Sequence, residues 1–215
     1  MRLTVRRTIA VSIVALVFAG CGVGPVPSGS PLASANGTDS LPVAGSRSAT
    51  PSARAGSPDA SGLTVEVDPG LLDVLPGQVD GLSLTYDAEN TARVAADPTL
   101  APQASGLAMA IAVAPGASGS TDLAVVSVVH VRDPSVGDEW FRQWRDSYDQ
   151  SACESAGGVS GHAQATIAGR TVFIGSCAGG AFTYHVRLAD GSVVVSALSV
   201  GPRRLGEKVM EGIKP

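Results

Sequence analysis

The chain has 215 residues, with 26 Gly, 14 Pro, 16% charged residues, 4% aromatics and a formal net charge of −4. The length accommodates one domain or two small ones, and the lack of Lys/Arg clusters argues against nucleic acid as a partner. No apolar run reaches the eighteen or so residues that a membrane-crossing helix needs.

Taken in chain order, residues 1–20 read as a secretory signal. Arg2, Arg6 and Arg7 form a basic start, Ile9 to Phe18 an apolar run, and Ala19-Gly20 the small residues before Cys21. A buried helix of that length would show polar positions at helical spacing, and the only ones present are Thr8, just before the run, and Ser12 within it. The segment Phe18-Ala19-Gly20-Cys21 resembles the lipobox of bacterial lipoproteins, with Phe18 where Leu is usual. That resemblance implies cleavage before Cys21, a diacylglyceryl group on its thiol, and anchorage to the membrane outside the cytoplasm. Two or three acyl chains anchor stably where one is marginal, each buried CH₂ contributing roughly 0.8 kcal/mol.

Residues 21–62 carry the lipidated Cys and a tether. From Gly22 to Gly62, 31 of 41 residues are Ser, Pro, Gly, Ala or Thr, and no aromatic is present. Such a stretch buries too little apolar surface to offset its chain entropy. A disordered linker is expected, spanning roughly 35 Å as a flexible coil.

Residues 63–215 read as a single α+β domain, and they carry the whole net charge of −7 that remains once the three leader arginines are removed. Asp68-Pro69 opens a helical turn, Leu82 to Thr85 reads as a short strand, and Asp87 caps a helix through Ala95 that stops near Asp97-Pro98. Leu107, Met109, Ile111 and Val113 alternate as a strand, and Leu123 to Val131 is apolar on both faces; the two pair as a hairpin. Asp138 to Ala152 reads as a helix with two acids in its first turn, where the helix dipole favours them. Trp140, Trp144 and Tyr148 lie along one face beside Phe141, while Arg142, Arg145, Asp146 and Asp149 read as its solvated face. Strands follow at Gln164–Ala168, Thr171–Cys177, Ala181–Ala189 and Ser192–Val200, the last two joined by the two-residue hairpin signal Asp190-Gly191. Pro202 opens a final helix with Leu205, Val209 and Ile213 on one face. The expected fold is an antiparallel sheet of about six strands with two to three packed helices.

Outside the cytoplasm two cysteines in one domain pair more often than not, so Cys153 and Cys177 are expected to form a disulfide, which would contribute about 3.5 kcal/mol on the chain-entropy model. The glycines around Cys177 are read as a turn between strands. Candidate chemistry is thin. Ser160 beside His162, and Ser176, do not fit the nucleophile-elbow spacing. His130, His162 and His185 show no metal-ligand spacing, so no metal and no cofactor is assigned, and no catalytic residue. Trp140, Trp144 and Tyr148 form the candidate binding surface, against the simpler reading that the stripe anchors the core. The functional expectation is a membrane-anchored extracytoplasmic lipoprotein whose non-catalytic domain binds or senses a protein or small-molecule ligand. The alternatives are a carrier of a small apolar ligand and a cell-envelope enzyme, hydrolytic or metal-dependent.

Overall fold

A computed structural model describes residues 62–115, 121–188 and 190–214; the segment expected to be a leader, Cys21, and the expected tether through residue 61 lie outside them. The two-residue strand β1 (Glu66–Val67) runs into a 3₁₀ turn at Pro69–Val74. The Asp68 carboxylate caps this turn by accepting from the Gly70 amide at 2.9 Å, and Pro69 occupies the first position, where no donor is needed. β2 (Gln78–Val79) and β3 (Leu82–Ser83) form a small separate hairpin, and β4 (Thr85–Tyr86) follows. The stretch expected as one short strand is thus divided at Leu84 between two sheets. Helix α1 (Ala88–Ala95) begins where the Asp87 side chain accepts from the Asn90 amide at 3.1 Å.

The long strands β5 (Ala104–Pro115) and β6 (Thr121–Val131) pair antiparallel along nearly their full length, the expected hairpin. After helix α2 (Asp138–Cys153) come β7 (Val159–Ile167), β8 (Arg170–Cys177), β9 (Phe182–Arg187) and β10 (Val193–Val200), and then helix α3 (Leu205–Gly212). Among the described residues the main sheet has eight strands in the order β1-β5-β6-β10-β9-β8-β7, with β4 also paired to β5; only the β1–β5 pairing is parallel. This exceeds the expected six by the two-residue strands β1 and β4, which are too short to show an alternation.

Three boundaries differ from the sequence reading. β7 starts at Val159, not Gln164, because Val159 and Gly161 to Ala163 pair with β8, with a register shift at Ser160, as an exposed edge whose polar residues carry no apolar alternation. β9 ends at Arg187, and its connection to β10 is closed by Leu188 donating to the Val193 carbonyl. That loop is longer than a two-residue turn, with Gly191 at a left-handed φ of 72°. α3 starts at Leu205 because Arg204 adopts a left-handed φ of 49° and ends the preceding turn.

Alternation along the central strands divides the core into two layers. Val126 and Val128 of β6, Tyr184 and Val186 of β9 and Val195 and Ala197 of β10 pack with Val209, Met210 and Ile213 of the α3 segment. On the opposite face Leu107, Met109, Val129 and Val194 pack against Val94, Phe141 and Trp144. Helix α2 therefore lies across one face of β6, β10, β9 and β8, and the side chains beneath it set the chemistry of that face.

Candidate functional site

α2 presents two adjacent ridges to the sheet, each at four-residue spacing. Trp140, Trp144, Tyr148 and Ala152 form one; Phe141, Arg145, Asp149 and Cys153 form the other. Trp144 and Tyr148 are buried, at 7% and 4% exposure, and belong to the core. Trp140 is half-buried and stacks on Trp144, with ring centroids 5.6 Å apart. The aromatic stripe is thus turned mainly inward. Cys153, at the end of the second ridge, is bonded to Cys177 of β8 and ties the last turn of α2 to the sheet.

Asp149 is the centre of a buried polar lane beneath α2. It is 1% exposed, which corrects its assignment to a solvated face; Arg145 on the same ridge is half-buried too. One carboxylate oxygen, Oδ1, accepts from the Thr183 hydroxyl and lies 2.8 Å from His185 Nε2. The other, Oδ2, lies 3.1 Å from Nε2 of His162, whose side chain is 56% exposed. His185 Nδ1 is 2.9 Å from Ser196 Oγ, which accepts from the Trp144 indole N–H at 3.3 Å. The pattern closes with one proton arrangement: Trp144 donates to Ser196, Ser196 to His185 Nδ1, and His185 Nε2–H to Asp149. Tyr148 stands edge-on to the His185 ring at 5.0 Å.

Burial pushes the Asp149 carboxyl up, but the hydrogen bonds from His185 and Thr183 outweigh it, and the group lies below its usual range. Burial, then the Asp149 charge, pushes the Tyr148 hydroxyl well above the ordinary tyrosine value, so it stays protonated. Gly175 on β8 makes this approach feasible. A Cβ there would lie 2.6 Å from Asp149 Oδ2 and would also overlap the Thr183 hydroxyl. Its function is thus close packing within a strand; the turn that follows uses Gly180, at φ 82°.

Ser196, His185 and Asp149 form a Ser–His–carboxylate chain of the kind that activates a serine nucleophile, with the two imidazole nitrogens exchanged relative to the usual triad. Ser196 is 1% exposed and lies under Trp144, so an acyl group reaches its Oγ only if α2 lifts. The arrangement shown couples helix to sheet.

Of the other residues weighed from sequence, Ser160 bonds the carbonyl and hydroxyl of Ser176, not a histidine base. His162 and His185 converge on Asp149, whereas His130 pairs separately with Ser105, 2.7 Å away. Among the described residues no group of three or more His, Cys, Asp or Glu is placed to hold a metal ion.

Beside the buried lane, at the N-terminal half of α2, an open cleft of about 460 Å³ lies between the helix and strands β8 and β9. Asp138, Phe141, Arg142 and Arg145 line it from α2, Thr171 and Phe173 from β8, and Arg187 from β9. The Arg145 guanidinium lies over the Phe173 ring, 4.1 Å from its centroid. The sequence marked neither Asp149 nor this cleft: Arg145 and Asp149 stand between Phe141 and Cys153 on one ridge, and as charged side chains they read as solvated. No family model, curated protein or solved structure matches this chain.

Proposed function

We propose that the chain is an extracytoplasmic lipoprotein, anchored to the bacterial membrane through lipidated Cys21, whose tethered α+β domain is a non-catalytic ligand-binding or sensing module. The Cys153–Cys177 bond carries this reading. A covalent pair of cysteines persists in oxidising compartments and is rare where thiol reductants are maintained, and it agrees with the basic, apolar and small-residue leader that precedes Cys21. The open, arginine-lined cleft supplies a surface for recognition.

The alternatives receive less support. A carrier of an apolar ligand needs an internal cavity of a few hundred Å³. The apolar cavity beneath α2, bounded by Val94, Leu107, Met109 and Trp144, holds about 20 Å³, room for about one water molecule. A hydrolase needs a nucleophile that substrate can reach, and Ser196 is enclosed.

Expression of the full chain in a bacterial host, with labelled palmitate and detergent phase separation, tests the anchor. The wild-type chain is expected to take up label and enter the detergent phase, and Cys21→Ala to do neither. Retention of the Cys21→Ala chain in the detergent phase would overturn the lipoprotein reading.

A further inference from the structure

We propose that the cleft between the N-terminal half of α2 and strands β8 and β9 is a binding site for a small organic anion, one carboxylate or phosphate group joined to a flat apolar body. This rests on the reading of the domain as a ligand-binding one and is independent of the lipid anchor.

Three observations converge on it. The first is a concentration of positive charge where the domain as a whole is acidic: Arg142, Arg145 and Arg187, three of its eight arginines, line one cleft. The second is the state of Arg145. Its Nε is buried without a hydrogen-bond partner, and its nearest carboxylate oxygen, on Asp146, is 4.0 Å away. A guanidinium carries five N–H donors in a planar fork that matches a carboxylate or phosphate edge. The Arg145 guanidinium lies over the Phe173 ring and near Phe141, with centroid distances of 4.1 and 5.7 Å, which restricts where the fork can point. Arg187 is fixed by donating from Nε to the Gly191 carbonyl at 3.2 Å and from Nη2 to the Pro134 carbonyl at 2.9 Å. Neither partner is charged, and neither bond uses its remaining donors.

The third observation is the shape and lining. About 460 Å³ lies within the range of small-ligand sites, roughly 300–1,000 Å³. Phe141 and Phe173 form an edge-to-face pair beside the arginines, giving an apolar wall for a flat body, and Thr171 adds a neutral hydroxyl. Asp138 is the one acid in the lining and opposes an anion; Arg142 is paired on the surface with Glu139 at 2.9 Å. The anchoring charge therefore comes from Arg145 and Arg187, and Asp138 gives the test a sign.

Calorimetric titration of the full chain in detergent with benzoate, phenyl phosphate, acetate, inorganic phosphate and benzylammonium decides the matter. Saturable binding of benzoate or phenyl phosphate is expected, weakened by added salt, with acetate and inorganic phosphate weaker and benzylammonium inert. Comparing benzoate with phenyl phosphate distinguishes the two headgroups. Arg145→Gln should weaken binding roughly ten-fold or more, the loss of a charge-assisted contact, while Asp138→Asn should tighten it. Arg145→Lys keeps the charge but lacks the fork and should fall between. Should Arg145→Gln fail to fold, as judged by near-ultraviolet circular dichroism, Arg187→Gln and Asp138→Asn carry the comparison. Absence of saturable binding, equal binding of benzylammonium, or binding unchanged in both the Arg145→Gln and Asp138→Asn chains would overturn the proposal. A chain that takes up palmitate yet binds none of these probes overturns the cleft alone and leaves the anchored-domain reading standing.

Discussion

Asp149 shows how much one side chain organises. Its two oxygens bind Thr183, His185 and His162, groups on two different strands, so one carboxylate fixes the helix over β9 and β7 together. Replacing it by Ala leaves the His185 and Thr183 donors buried and unpaired, and is expected to cost roughly 3–5 kcal/mol in chemical denaturation. Asp149→Asn should cost less, because an amide oxygen in the place of Oδ1 still accepts from both Thr183 and His185. The pH dependence follows from the lowered carboxyl. A group whose folded pKa is depressed contributes stability that is complete above its unfolded value, near 3.8, and is lost as pH falls through the lower folded value. Melting temperatures measured downward from pH 5 should fall more steeply for the wild type than for Asp149→Asn; equal slopes would contradict the assignment. Tyr184 is the opposite case. It is fully buried, its hydroxyl lacks a hydrogen-bond partner, and burial pushes its pKa up to about 12. Tyr184→Phe removes an unsatisfied polar atom without opening a cavity and should raise stability by about 1 kcal/mol, seen as a higher melting temperature.

At the scale of elements, α2 is attached differently along its length. Its C-terminal half is held by the Cys153–Cys177 bond and, one turn earlier, by Asp149 against Gly175. Its N-terminal half carries Phe141, Arg142 and Arg145 at the edge of the open cleft. The covalent link closes a loop with a sequence separation of 24 residues. Replacing both cysteines by Ser should therefore lower stability by about 3.5 kcal/mol on the chain-entropy model. Hydrogen exchange is expected to quicken first in the last two turns of α2 and in Ser176–Gly180, the segments that the bond joins; uniform loss of protection across the domain would argue against a local staple. β10 sits between β6 and β9 at the centre of the sheet, and its Ser196 extends the polar lane from the helix to the innermost strand.

For the molecule as a whole, five of the six long strands and the helices α1 and α2 were legible because they carry patterns that burial imposes: alternation in β5, four-residue recurrence in α2. The edge strand β7 was read too short because Ser160, His162 and Gln164 are polar residues on a partly exposed strand, which leaves alternation no apolar partner. β1 and β4 are two residues each and exist only because β5 offers them backbone hydrogen bonds. The site was less legible than the fold. Arg145 and Asp149 are charged residues on an amphipathic helix, and side-chain type alone assigns them to solvent. The burial of Asp149 depends on partners 34 and 36 residues away, Thr183 and His185, brought beside it by the pairing of β8, β9 and β10, and Arg145 lies over Phe173 of β8.

By itself the sequence determined what depends on local composition and spacing: a basic and then apolar segment ending at Cys21, the Ser/Pro/Gly/Ala-rich stretch after it, the two domain cysteines, and the periodic strands and helices. Those properties rest on neighbours in the chain, and chain order supplies them. Only the tertiary structure decided which charged residues are buried, that His185 and Ser196 face Asp149 while Ser160 and His130 do not, and that three arginines from α2 and β9 line one cleft. Each of these depends on strand order and on the face that α2 presents to the sheet, contacts between residues far apart in sequence that no local pattern encodes.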